Sequence, residues 1–416
     1  VYSLELVRNT VRSINTEARH TSDRNVRGAL RAHALASQTT SRLTSLLHLI
    51  ASEPVIRCEF GDFDVNPYLL NCMNGTLDVE TLQFYPHRLE DKLSKLCPVD
   101  YVAGAKSAVL EQFLEQKFPD PEVREYVQRS VGYSATGDDR EEAVFIVTGP
   151  GGTGKSTLIG GGRLVLGGDA GAAACDTWVL KGDAAGGARP DMVRLRGKRF
   201  VASIEAGKKK RLDEELIKQI SGRDRMTART LYAEDEEFKW EAKIWFAVNE
   251  LPDIDDRGID GIWRRFKVIP MLVTSVGSID PTIKTTIQDL NITGPAFLNW
   301  IVEGARNWMK IGLRPPEGVM KATERYKMAS NPLNDFLDEM CETGEDKSCL
   351  PRQVYEIYSS WCRKNGVRQM PMRSFSGRIL DYVDADTGAR VTIGVNDRTG
   401  KPVIRGLGLA EDSFGF

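Results

Sequence analysis

The chain has 416 residues, enough for two or three domains with a sizeable core. Its 41% hydrophobic and 27% charged content is that of an ordinary globular protein, and a net charge of −2 excludes a globally basic nucleic-acid binder, so any polyanion site must come from local clustering. Seven cysteines without a C-x-x-C pair and four histidines confined to positions 20 to 87 argue against a zinc site, no apolar run is long enough to span a membrane, and reduced thiols in a cytoplasm-like compartment are expected.

The first fifty residues read as helix: Val26, Leu30, Leu43, Leu46, Leu47 and Ile50 recur at spacings of three and four. From Phe60 to His87 the pattern changes to short strands and turns, with an Asn-Gly step that predicts a hairpin. Helical periodicity resumes over Ala105–Tyr133. An α/β block follows, with strands predicted at Val144–Thr148, Phe200–Ile204, Ile244–Val248 and Phe266–Ile269, which implies a three-layer nucleotide-binding fold. Within it Gly160, Gly161 and Gly162 stand in a predicted helix, where each costs about 1 kcal/mol relative to alanine; no role is legible for them. Beyond Thr274 the chain is helical again, with boundaries at "RPPEG" and "SNPLND". The last segment reads helix, helix, hairpin, the plan of a winged helix. Val354, Ile357, Tyr358 and Trp361 form one apolar face, while Arg363, Lys364, Arg368, Arg373 and Arg378 serve nucleic acid, a solvated basic surface or a protein-contact module.

The chemistry concentrates in "VFIVTGPGGTGKST", a strand running into the G-x-x-x-x-G-K-[ST] phosphate loop. Gly149, Gly151, Gly152, Thr153 and Gly154 let main-chain N–H groups wrap phosphates. Lys155 reaches the β- and γ-phosphates, and Ser156 followed by Thr157 supplies the hydroxyl for Mg²⁺, so ATP and Mg²⁺ are the expected cofactors. Such a site needs an acid at the end of a neighbouring strand, and Glu205 is placed there. Asp213, Glu214 and Glu215 open a helix and read as dipole-stabilising caps. Asn249 ends the next strand, where an amide can sense the γ-phosphate or serve as an ordinary turn residue. Arg264 and Arg265 precede another strand, and at least one of them must point outward, as an arginine finger or as a surface ion pair.

Together these segments resemble the superfamily-3 helicases, specifically the helicase half of phage and plasmid primase-helicases related to the poxvirus primase-helicase. The resemblance runs from "FDVNPYLLNCMNGTLDVETLQFYPH" through the phosphate loop and "FVASIEAGKKKRLDEELIKQISGRDRMTART" to "IWRRFKVIP" and the C-terminal segment. It implies an AAA+ type P-loop ATPase core at 138–275, flanked by a mostly helical oligomerisation region at 1–137, a helical lid or linker at 276–333 and a winged helix at 334–416. It further implies a hexameric ring that moves on single-stranded and forked DNA by ATP hydrolysis at subunit interfaces, in the cytoplasm of a bacterial host. By position Lys155 and Ser156 bind phosphate and Mg²⁺, Glu205 is the Walker B acid, Asn249 is sensor 1, and Arg264 or Arg265 is the finger. Lys218, Arg223, Arg225 and Arg229 cluster around the hairpin that grips DNA in relatives, and phosphate tracking requires such local charge.

The chain departs from that family where Ala206 and Gly207 lead into Lys208–Lys210 in place of a further acid, which leaves Glu205 to hold metal and activate water alone. No acidic constellation for nucleotide polymerisation is present, and the chain opens on Val1, so a primase region upstream is expected. The alternative is an ATP-dependent origin-binding or helicase-loading protein without unwinding activity. A small-molecule kinase would have no use for the finger, the basic hairpin or the winged helix.

Overall fold

A computed structural model of the chain describes residues 2–53, 58–180, 189–204, 211–223, 225–228, 236–252, 254, 261–274, 281–330, 332–365, 369–380, 391–395, 400 and 402–410. The chain divides into two compact units, Val1–Val65 and Asn66–Phe416.

The first unit is helical: α1 (Tyr2–His20), α2 (Arg24–Ser37) and α3 (Thr40–Ser52). Asp23 caps α2 by accepting from the Asn25 and Val26 main-chain N–H groups, satisfying donors that the first turn leaves open. Val7, Val11 and Leu43 make its small core with Leu46, Leu47 and Ile50 against them. Val26, expected on the apolar face, is exposed.

The second unit opens with an antiparallel sheet of β1 (Leu69–Cys72), β2 (Gly75–Asp78) and β3 (Phe84–Tyr85). The expected hairpin is present, but Cys72 pairs with Gly75, so Met73 and Asn74 form the turn and the glycine starts the strand. Then follow α4 (Ala108–Lys117), α5 (Pro121–Ser134), β4 (Val144–Thr148), α6 (Lys155–Leu166), β5 (Ala170–Ala172), α7 (Pro190–Val193), β6 (Phe200–Ile204) and α8 (Glu214–Ser221). The antiparallel pair β7 (Arg225–Ala228) and β8 (Glu236–Lys239) precedes β9 (Lys243–Val248) and β10 (Phe266–Pro270). Helices α9 (Pro281–Gln288), α10 (Leu290–Ile311) and α11 (Glu317–Ala329) complete this part.

The central sheet has the order β10–β4–β9–β6–β5, with every pair parallel. Both faces are covered, as parallel sheets require. Phe145, Val147, Trp245, Ala247 and Ile269 point toward α4, α5, α6 and α10. Val144, Ile146, Ile244, Phe246 and Val268 point toward α8, Trp178 and Tyr326. This alternation of strand residues between two cores is the expected three-layer arrangement. Strand β5 was not legible in the sequence, because its Ala-Gly-Ala run lacks the branched and aromatic residues that mark strands.

Two cations are buried along the amino-terminal margin of this sheet. The Arg199 guanidinium pairs with Asp169 at 3.3 Å and donates to the Leu69 carbonyl at 2.8 Å, tying β6 to the first hairpin. Lys243 donates Nζ–H to the carbonyls of Thr136 and Glu241, at 2.5 and 3.0 Å. Burial, reinforced by the Arg199 charge, pushes the Lys243 pKa from 10.5 down to about 7. Between those values the unfolded chain binds more protons than the native one, so stability rises with pH across that window. The urea midpoint is therefore expected to increase from pH 7 to pH 9.5, with a flatter profile in Lys243→Met; an identical slope in the variant would assign the rise to other groups.

The C-terminal part contains α12 (Pro332–Met340), β11 (Cys341–Cys349), α13 (Pro351–Asn365), α14 (Met372–Arg378), β12 (Thr392–Val395) and β13 (Pro402–Leu409). Its antiparallel sheet has the order β11–β13–β12. Val354, Tyr358 and Trp361 of α13 are buried with Phe336 and Phe375, as the spacing predicts, while Ile357 is half-buried. The helix α12 and the polar strand β11 were not part of the expected helix–helix–hairpin plan. Pairing with β13 gives β11 a place that its acidic sequence does not advertise. Arg363, Lys364 and Arg373 are exposed, Arg378 is half-buried, and Arg368 lies outside the described residues.

Candidate nucleotide-binding site

Ligands of open parallel sheets bind beyond the carboxyl ends of the strands. Here Thr148 of β4 lies opposite Val248 of β9, and Ala247 lies opposite Ile204 of β6. Strands β4 and β9 end level, β6 ends one position earlier, and β9 separates the other two. Gly149 opens the loop after β4, and Asn249 follows β9 as an exposed residue between them. Glu205, next in sequence after β6, lies outside the described residues, as do Lys208–Lys210 and Arg229.

The glycines of the loop have separable reasons. Gly152 and Gly154 have φ of +77° and +98°, a region that side chains rarely adopt. A Cβ on Gly149 would stand 2.1 Å from the Met271 carbonyl oxygen, because β10 leaves the sheet against the loop through the Met271 N–H bond to the Thr148 carbonyl. Gly151 has open space around it, while Gly154 faces the Phe113 ring of α4. Helix α6 begins at Lys155 with its amino end, the positive end of the dipole, directed at the loop. Thr157 is buried, Ser156 is half-buried, and Thr153 donates its hydroxyl to the Pro150 carbonyl at 3.1 Å.

Lys155 is buried inside the loop it serves. Its ammonium donates to the carbonyls of Gly149 and Pro150, at 2.6 and 2.7 Å, and lies 3.3 Å from the Thr153 hydroxyl. Burial lowers its pKa from 10.5. A cation held on main-chain carbonyls above a helix amino terminus forms a site with the chemistry of a polyphosphate receptor. Among the described residues no three acidic, histidine or cysteine side chains gather to hold a metal. The half-buried Ser156 hydroxyl, in the first turn of α6, is an oxygen of the kind that Mg²⁺ accepts beside phosphates and water.

The two arginines are at the other end of the sheet. The Arg265 carbonyl accepts from the Val144 N–H, at the first residue of β4, so the five residues of that strand separate the pair from Gly149. At about 3.3 Å per residue this is roughly 16 Å. Arg264 is 66% exposed and pairs with Glu142 at 3.3 Å. Arg265 is 11% exposed, pairs with the same carboxylate at 3.4 Å and donates to the Gly261 carbonyl at 2.5 Å. Only Arg264 faces outward.

The basic cluster is less positive than its sequence. Lys218 pairs with Glu214 of its own helix at 3.6 Å, Arg223 with Asp139 at 4.0 Å and Arg225 with Glu237 across the hairpin at 3.7 Å. Met226, Ala228 and Phe238 turn the other face of the β7–β8 ribbon into the core. Asp213 caps α8 by accepting from the Leu216 N–H, as expected of that acidic stretch. Two participants had no sequence signal: Glu142, which meets both arginines, and Gln288, whose amide reaches α6.

The family described as "D5 N terminal like" matches residues 3–119, a family of unknown function matches 147–265, and the family described as "Poxvirus D5 protein-like" matches 329–388. The chain is 26% identical over 333 residues to "Putative helicase L207/L206" of Acanthamoeba polyphaga mimivirus, covering 74% of this chain and 34% of that protein. It is 25% identical over 338 residues to "Putative helicase 022R" of Frog virus 3, covering 77% and 33%. The chain thus spans about a third of the length of these relatives. A solved apo structure of the NrS-1 C-terminal region aligns over 76% of this chain and 78% of that one, at 14% identity and a TM-score of 0.43, a likeness that by itself decides nothing. The named relatives come from viruses of eukaryotes, so they lend no support to the expected phage and bacterial host. No described helix is long and apolar enough to cross a membrane. The chain is thus similar to the D5 families at both of its ends, and across about three quarters of its length to viral proteins named putative helicases.

Proposed function

We propose that the chain is the ATP-hydrolysing motor of a DNA helicase, with an AAA+ type core at 138–275 working between subunits of a hexameric ring. The observation that carries this reading is the division of the site between two ends of one sheet. The phosphate loop, Asn249 and the Glu205 strand share the carboxyl margin, while Arg264 faces outward from the opposite one. An arginine roughly 16 Å from its own loop serves a neighbour's nucleotide or none. The names of the viral relatives support helicase work.

In this reading Lys155 and the main-chain N–H groups of Gly149–Thr157 bind and orient the triphosphate. The Ser156 hydroxyl would hold Mg²⁺, which would supply charge neutralisation at the phosphates. Glu205 orients and deprotonates the attacking water, Asn249 aligns it against the γ-phosphate, and Arg264 of the adjoining subunit stabilises the charge of the transition state. The segment from α8 through the β7–β8 ribbon then contacts single-stranded DNA through Lys218, Arg223, Arg225 and Arg229, with the first three exchanging their present carboxylate partners for phosphates. Region 1–137 assists assembly, 276–333 acts as the lid, and 334–416 acts as a winged helix whose exposed Arg363, Lys364 and Arg373 meet nucleic acid. A primase region in the full protein and other replication proteins are the further partners.

Strand displacement on forked DNA tests the proposal. Wild type is expected to open a fork with ATP and Mg²⁺, with ATPase stimulated by single-stranded DNA, and Lys155→Ala is expected to do neither. Duplex binding through the C-terminal segment, with no opened fork and no stimulation, would favour the origin-binding or helicase-loading reading.

A further inference from the structure

Three consecutive glycines in the helix behind a phosphate loop have no place in phosphate chemistry, yet α6 carries them at Gly160–Gly162. A Cβ on Gly161 would lie 2.5 Å from the Phe297 ring of α10, so this glycine admits a core aromatic. A Cβ on Gly162 would make only ordinary contacts, the nearest at 3.8 Å. Gly160 differs from both. A Cβ there would stand 2.4 Å from Nε2 of Gln288, the last residue of α9. That amide lies on the helix backbone and donates to the Ser156 carbonyl at 3.2 Å, with the Thr157 carbonyl at 3.5 Å.

The donor is held from behind. Ile287 is buried in the main core, and its carbonyl accepts from the Thr293 hydroxyl at 2.8 Å. Asp289 caps α10 by accepting from the Asn291 N–H. The α9–α10 junction is thus a built corner, and its side chain reaches the first turn of α6 because residue 160 has no Cβ. A carbonyl oxygen has two lone pairs, so the Ser156 carbonyl can keep its helical bond while accepting the amide.

We infer that Gln288 is a positioning residue of the nucleotide site: through the slot at Gly160 it ties the first turn of α6, and with it the Ser156 hydroxyl, to the α9–α10 segment. The inference rests on the reading of Lys155 and Ser156 as nucleotide-binding groups. Loading of the loop and the position of α9–α10 are then coupled, since a shift of either moves the donor relative to its acceptor.

Binding of a fluorescent ATP analogue with Mg²⁺ by the full chain tests it, with thermal melting to verify that each variant is folded. Gln288→Ala, Gln288→Glu (equal in size but unable to donate) and Gly160→Ala are each expected to weaken binding about three- to tenfold, the range of one lost hydrogen bond. The double variant Gly160→Ala/Gln288→Ala should bind no more weakly than either single one, because both remove the same contact. Wild-type affinity in Gln288→Glu, or losses that multiply in the double variant, would overturn the inference. If wild type binds the analogue, Lys155→Ala does not and all the Gln288 and Gly160 variants bind normally, this inference alone fails. If wild type itself does not bind, the nucleotide reading fails and takes this inference with it.

Discussion

Arg264→Ala is expected to lower ATP hydrolysis by about 10³-fold or more, the range in which arginine fingers act, while each subunit still binds nucleotide. The geometry separates the two effects. Arg264 is exposed and stands at the amino end of β4, a full strand length from Lys155, so its removal leaves the phosphate loop of its own subunit intact. Mixing Lys155→Ala with Arg264→Ala subunits should restore part of the lost hydrolysis, because one type supplies a sound loop and the other a sound finger. No recovery at any mixing ratio would exclude a site shared between subunits. Arg265→Ala should behave differently. This side chain is mostly covered and is held by the Gly261 carbonyl and Glu142, so its loss is expected to lower the melting temperature, with no recovery of hydrolysis specific to mixing.

The second large effect is expected in folding. Helices α5 and α10 cross with their backbones in contact. A Cβ on Gly304 would lie 2.1 Å from the Gln128 carbonyl oxygen, and one on Gly132 would lie 2.0 Å from the Ala305 nitrogen. Both obstacles are main chain, so neither can swing aside, and the helices must separate to admit a methyl group. The crossing also carries the 3.0 Å bond from the Gln128 amide to the Trp300 carbonyl and the Tyr133–Trp308 ring contact at 4.7 Å. Overpacking of this kind costs 1–3 kcal/mol and at times more, and Gly304→Ala is placed at about 3 kcal/mol or above. Gly162→Ala is the internal control. It meets nothing nearer than 3.8 Å, so the helix propensity of alanine should leave it neutral or stabilised by up to about 1 kcal/mol. Urea midpoints of the two variants measure the difference; equal shifts would mean that the close crossing does not limit stability.

The same glycines show where sequence reading stops. Composition identifies Gly132, Gly162 and Gly304 only as residues that weaken helices. Which one is an obligatory contact and which is dispensable depends on partners in elements distant along the chain. Gln288 was invisible for the same reason, since its acceptor in Ser156 lies 132 residues away. The paired arginines were legible as a pair of which at least one must face outward, but adjacent side chains do not announce which of them burial claims. The basic run at Lys218–Arg229 read as a positive cluster because linear spacing shows neither Asp139 nor Glu237 opposite it.

What the sequence by itself determined is the chemistry that a contiguous segment can hold. Strand, glycine-rich turn, lysine and hydroxyl follow one another from Val144 to Thr157, and the positive φ of Gly152 and Gly154 belongs to the turn itself. The strands Val144–Thr148 and Phe200–Ile204 and the cap at Asp213 were likewise local, set by short continuous apolar runs and by first-turn N–H groups that need an acceptor. The tertiary structure alone decided that β9 lies between β4 and β6, that Arg264 is on the opposite margin from Lys155, and that Gly160 is a slot for a distant amide. Local propensity extends over a few residues, whereas strand order, helix crossings and ion pairing come from long-range packing, where side chains far apart in sequence compete for the same buried space.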